Sequence, residues 1–168
     1  MNVLSKSILL FASILIISSL NSPLANGNNA PTPNSREVLE QALLENLGKV
    51  IYVDFWASWC GPCRKSFPWM NEVQNNYKQQ GFTVISINLD ANKTLAEKFL
   101  AETPANFGVI YDPKGAIAKH FKIQGMPSSM IIGRDGKIKS RHTGFFPNKK
   151  QLYQSEIEQL LQNEELKL

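Results

Sequence analysis

Two cysteines stand three residues apart in the run Trp59-Cys60-Gly61-Pro62-Cys63, and the chain has no others. Dithiol chemistry needs two sulfurs close enough to join and unequal enough to take different roles. A Cys-x-x-Cys opening a helix supplies both. The first sulfur sits at the open end, where unpaired backbone N–H groups and the helix dipole stabilise a thiolate. The second lies one turn in and is shielded. Cys60 is therefore the expected nucleophile. Cys63 is the expected resolving thiol, attacking Cys60 in a mixed disulfide and releasing the partner. As a structural staple the pair would do little, because so small a loop barely constrains the unfolded chain. Small secreted domains held by disulfides also carry more cysteines, spread along the chain.

Other uses of two cysteines fit less well. A haem attachment site needs His directly after the second cysteine, and Arg64 stands there. Zinc needs about four ligands; beyond the cysteines there are only His120 and His142, neither at ligand spacing. Soft Cu(I) accepts fewer ligands, so Cys60, Cys63 and one histidine leave a copper-handling metallochaperone as the reading of a different class. His120 and His142 otherwise receive no role, and no cofactor is implied.

Asp54 is the third candidate. It sits inside the apolar run Val50 to Trp56, where an unpaired charge is costly. Burial should raise its pKa, as suits a proton-transfer group. The functional reading is that Asp54, directly or through a water, takes the proton of Cys63 during resolution. The bland reading is a carboxyl hydrogen-bonded in a polar pocket.

The elements that must hold these groups follow from the pattern. The chain has 168 residues, 43% of them hydrophobic, and a formal net charge of +4, which suits one globular domain. The basic residues are scattered, apart from pairs such as Arg64-Lys65 and Lys149-Lys150, and read as a solvated surface rather than a nucleic-acid-binding face. Lys6, the apolar run Ile8 to Leu20 and the stretch ending at Ala25 read as a signal peptide over 1–25. The run falls short of the roughly 20 residues of a membrane span. Pro23 stands where a small residue is expected, so an uncleaved anchor is the competing reading. Residues 26–34, rich in Asn, Pro and Gly, read as a flexible linker. Residues 35–168 then form the domain.

Within it, Ser35 is the expected cap of a helix to about Leu47, stopped by Gly48, burying Val38, Leu39, Ala42, Leu43 and Leu47. Val50 to Trp56 reads as a central strand buried on both faces. A helix from the cysteines to about Gln80 should kink at Pro68 and end at Gly81. Phe82 to Leu89 is a strand. Thr94 and Glu97 suggest a capping box for a helix to about Glu102. Phe107 to Tyr111 is a short strand, and Ala116 to Phe121 a short helix. Ser128 to Ile132 and Ile138 to Thr143 form a hairpin about Arg134 to Lys137. A final helix, Asn148 to Leu161, should bury Leu152, Ile157, Leu160 and Leu161. Alternating strands and helices argue an α/β fold with a mixed sheet covered on both faces.

The run Val53-Asp54-Phe55-Trp56-Ala57-Ser58-Trp59-Cys60-Gly61-Pro62-Cys63 resembles the active-site region of thioredoxins. Gly125-Met126-Pro127 resembles that family's cis-proline loop, and Pro68 its kink proline. The likeness spans roughly residues 36–165. An extra strand–helix segment before that loop, Arg64-Lys65-Ser66-Phe67-Pro68, and Gly133-Arg134-Asp135-Gly136-Lys137 resemble the TlpA/ResA-like periplasmic thiol–disulfide reductases. ResA-type members often carry Glu where this chain has Ser66, and often lack an acid at the position of Asp54.

The resemblance implies a thioredoxin fold and a cis Met126–Pro127 bond facing the sulfurs. It implies a substrate-binding set of Trp59, Gly61, Pro62, Met126 and Pro127. The Gly61-Pro62 pair implies a reducing protein, with a disulfide-donating oxidant or isomerase as the alternative. The implied setting is the periplasm, with possible tethering to the inner membrane. The implied partners are disulfide-containing proteins, apocytochrome c among them, and a membrane electron donor of the DsbD or CcdA type. A monomer is the default.

Overall fold

The structure, a computed structural model, describes residues 33–162. The expected signal segment 1–25 lies outside these residues, as does all of the expected linker except Pro33 and Asn34. The described chain runs α1 Ser35–Leu44, β1 Val50–Trp56, α2 Gly61–Tyr77, β2 Phe82–Asn88, α3 Lys93–Glu102 and β3 Gly108–Tyr111. It continues through α4 Ala116–His120, β4 Ser128–Ile132, β5 Ile138–Thr143 and α5 Lys150–Gln162.

One mixed sheet has the order β3-β2-β1-β4-β5. β1 and β2, and β2 and β3, pair in parallel; β1 with β4, and β4 with β5, are antiparallel. β1 is central and fully buried. Its side chains alternate between faces. Val50, Tyr52 and Trp56 join α2, α3 and α5 in one core. Ile51, Val53 and Phe55 join Leu39 of α1 and Ile117 of α4 in the other. This is the thioredoxin-like architecture expected, with β3 and α4 as the segment before the Met126–Pro127 loop.

The expectations for three helices, α1, α3 and α5, need correction. Asn34, not Ser35, caps α1: its side chain accepts from the N–H groups of Arg36 and Glu37, and Glu37 bonds back to the Asn34 N–H. Ser35 Oγ is instead drawn to Asp112 at 2.8 Å. The helix ends at Leu44, so Leu47 lies in the following turn and is exposed, as is Val38. Asn92 caps α3 through Thr94 N–H, while Glu97 pairs with Lys93. In α5 the inward phase is Tyr153, Ile157 and Leu161, and Leu152 is exposed. The helix begins only at Lys150, after a 3-10 turn over Pro147–Lys149. A similar turn, Lys78–Gln80, finishes α2 before Gly81, whose φ of +82° suits glycine.

Candidate active site

β1 delivers the chain to the sheet's end at Trp56, and a tight turn hands it to α2. Asp90, buried just beyond β2, fastens that turn. It accepts from Ser58 N–H and Ser58 Oγ, both at 2.9 Å, and from Asn88 Nδ2 at 2.7 Å. Cys60 is the N-cap of α2, and its sulfur accepts the Cys63 N–H at 3.3 Å. Pro62 sits in the first turn, where a missing N–H costs nothing. The two cysteines are joined as a disulfide with their Cα atoms 5.3 Å apart. Cys60 keeps 6% of its surface exposed and Cys63 none. One sulfur thus sits at the helix mouth and the other beneath it.

Asp54 is 1% exposed and lies mid-strand in β1. By alternation it faces the same side as Tyr52 and Trp56, the side whose core contains Cys60 and Cys63. Its Oδ2 has no hydrogen-bond partner in the protein. Burial pushes its carboxyl well above the ordinary carboxylate range. The hydrogen bonding that the bland reading requires is missing at this oxygen. Tyr52 beside it is also pushed up, first by burial and then by the Asp54 charge, while the Ser129 hydroxyl draws it back.

The second loop comes from the other side of the sheet. The Met126–Pro127 bond is cis. Met126 is half-buried against the core that includes both cysteines. Gly144 N–H donates to Pro127 O at 2.7 Å, and Ser128 Oγ to Gly125 O at 2.7 Å, so the loop is tied at both ends. Trp59 is 69% exposed, and Gly61 and Pro62 are exposed beside it. The structure thus gathers Cys60, Cys63, Trp59, Gly61, Pro62 and Met126 at one end of the sheet, with Asp54 beneath.

Two residues carried no sequence signal. Phe146 is an exposed aromatic lying against Gly144, next to the Pro127 loop. His142 on β5 stands 3.5 Å from Ser129 Oγ through Nδ1 and 3.0 Å from Glu156 through Nε2. Only the pairing of β4 with β5 reveals it. His120 is exposed and packs edge-on to Phe121. Among the described residues, no three His, Cys, Asp or Glu side chains converge as a metal-ligand group.

Residues 26–161 match the Redoxin family model. Over 122 residues the chain is 30% identical to the thiol-disulfide oxidoreductase ResA of Geobacillus thermodenitrificans, covering 71% of this chain and 70% of that one. It is 34% identical over 91 residues to the ResA of Bacillus thuringiensis, covering 54% and 53%. The chain therefore spans about half the length of these Bacillus relatives. A solved structure described as a thiol:disulfide interchange protein DsbE from Chlorobium tepidum superposes with a TM-score of 0.70 at 50% identity. That likeness covers 71% of this chain and 84% of the other.

Proposed function

The chain belongs to the Redoxin family, and we propose that it is a thiol–disulfide oxidoreductase that reduces disulfides of exported proteins through Cys60 and Cys63. The observation that carries this reading is the unequal placement of the two sulfurs, one capping α2 and one fully buried within it. The ResA relative is a thiol-disulfide oxidoreductase by name, and the DsbE relative a thiol:disulfide interchange protein.

In the reducing direction the Cys60 thiolate attacks one sulfur of a substrate disulfide. The other substrate sulfur leaves as a thiolate, and a mixed disulfide forms. Cys63 then gives up its proton to Asp54 and attacks the Cys60 sulfur. The second substrate thiolate leaves, and the Cys60–Cys63 disulfide closes. Two electrons pass from the protein dithiol to the substrate. Trp59, Gly61, Pro62, Met126 and Pro127 form the docking surface around the sulfurs.

The export segment and linker follow from the residue pattern, and the partners from the family resemblance. Residues 1–25 export the chain, 26–34 act as a linker, and the domain works in the periplasm. A membrane donor of the DsbD or CcdA type recharges the pair. Disulfide-containing proteins such as apocytochrome c are its clients.

The test is the reduction potential of the pair, measured in defined dithiol/disulfide buffers by tryptophan fluorescence. Potentials run from about −270 mV for thioredoxin to about −120 mV for a strong oxidant, with about 30 mV per decade in equilibrium constant. A value near the first supports electron donation. A value near the second makes the protein a disulfide donor. Stoichiometric Cu(I) retained by the reduced protein against a competing chelator would replace the redox reading.

A further inference from the structure

Asp54, Ser129 and His142 stand in one row across three strands. Asp54 on β1 is registered directly opposite Ser129 on β4, and Ser129 directly opposite His142 on β5. Directly opposed side chains share one face, with Cβ atoms about 5 Å apart. That face is the one covered by α5, which supplies the last member, Glu156. Glu156 Oε2 lies 3.0 Å from His142 Nε2 and accepts from Ser140 Oγ at 2.8 Å. Exposure rises along the row: Asp54 is sealed, Ser129 is buried, and the His142 and Glu156 side chains are 14% and 27% exposed.

We propose that Ser129 and His142, with Glu156 as anchor, form a lateral proton route that connects Asp54 to solvent. The proposal rests on the reading that Asp54 takes the Cys63 proton during resolution. Cys63 can pass its proton to Asp54 only when the sealed carboxyl is ionised, so a proton already resting there must leave before resolution. The row supplies an exit away from the docking surface, which a bound substrate would cover.

The polar chemistry fits the direction. Glu156 accepts from His142 Nε2–H, which fixes the imidazole tautomer and leaves Nδ1 as an acceptor facing Ser129. Asp54 Oδ2 has no hydrogen-bond partner in the disulfide form, so the carboxyl must first turn toward the row; Ser129 Oγ then accepts its proton while its own hydrogen passes to Nδ1. The Nε2 proton leaves to Glu156 and water, and one proton has moved from Asp54 to solvent. The 3.5 Å between Ser129 Oγ and Nδ1 is the long end of hydrogen-bond reach, which a small side-chain rotation closes. The titratable groups facing the row are Tyr52 on β1 and Tyr153 and Glu156 on α5; the ring centroid of Tyr153 lies 4.8 Å from that of His142. Ser129 and Ser140 are the polar neighbours on β4 and β5.

The experiment uses the reduced full chain mixed with excess of a chromogenic aryl disulfide. The first equivalent of aryl thiolate reports attack by Cys60, and the second reports resolution by Cys63. Ser129→Ala and His142→Gln should leave the first phase within about twofold of wild type. They should slow the second about tenfold or more at low buffer concentration, the low side of what a proton-transfer group contributes. Added imidazole at fixed pH should restore it. Second phases equal to wild type in both variants, or slowing that imidazole leaves unchanged, would overturn the route. Absence of both phases in the wild-type chain would instead sink the oxidoreductase reading itself.

Discussion

The sulfur of Cys60 accepts the backbone N–H of Cys63 at 3.3 Å, so the outer cysteine caps the helix that buries the inner one. An anion at that position is favoured by the helix N-terminus, and a fully buried thiol is disfavoured as an anion. In the reduced protein, Cys63→Ala should leave a Cys60 that iodoacetamide alkylates at least about tenfold faster than free cysteine at pH 6. Cys60→Ala should leave a Cys63 that alkylates more slowly than free cysteine. Equal rates in the two variants would remove the assignment of roles.

Asp54 gives a stability prediction with a definite sign. Its folded pKa is raised by burial above the ordinary value of 3.8. Between those two values the folded state holds a proton that the unfolded state has lost, so wild-type stability falls as pH rises through the window. Each unit of difference is worth about 1.4 kcal/mol. Asp54→Asn removes the titration. The variant should match wild type below pH 3.8, exceed it increasingly as pH rises, and hold a constant advantage above the folded pKa. Urea unfolding across the pH range measures this. A pH-independent difference would mean that the carboxyl finds polar compensation when folded. The same variant should slow the second aryl-thiolate phase and spare the first.

The strands were legible because their signals are local. Val50–Trp56, Ser128–Ile132 and Ile138–Thr143 are apolar or β-prone runs bounded by turn residues, and their ends agree with the structure. The cysteine pair and Pro127 were legible because each lies in a short motif. What failed was set by distant partners. Ser35 looks like a cap until Asp112, 77 residues away, takes its hydroxyl. Leu47 completes a helical repeat on paper, yet the chain has already left the helix. His142 has no neighbour in sequence that marks it, since Ser129 and Glu156 reach it only through strand register and the packing of α5.

Asp112 should prove one of the fold's costliest positions to change. It is fully buried and accepts from the N–H groups of Ala116, Ile117 and Ala118 as well as from Ser35 Oγ. It therefore caps α4 and ties α1 to it. Asp112→Ala leaves buried donors unpaired, which should cost about 3 kcal/mol. Ser35→Ala, removing a single bond, should cost about 1 kcal/mol. Chemical denaturation checks both, and a smaller loss for Asp112→Ala than for Ser35→Ala would contradict the account.

Trp59 separates docking from folding. At 69% exposure it contributes little to the core, so Trp59→Ala should change stability by no more than about 0.5 kcal/mol. Its apolar face stands beside Cys60 at the mouth of α2, where a protein substrate must approach. Removing it should raise KM for a protein disulfide by about tenfold, the loss of one aromatic contact worth about 1.4 kcal/mol, with kcat close to wild type. A small aryl disulfide reaches Cys60 without that surface, so its first-phase rate should stay within about twofold. Loss of both activities in equal measure would show that Trp59 acts by shaping the Cys60 turn. In that case Asp90→Asn, which weakens the carboxylate's hold on Ser58 in the same turn, should reproduce the defect. A selective loss with protein substrates alone would place Trp59 on the docking surface, and Phe146 beside the Pro127 loop becomes the next residue to truncate.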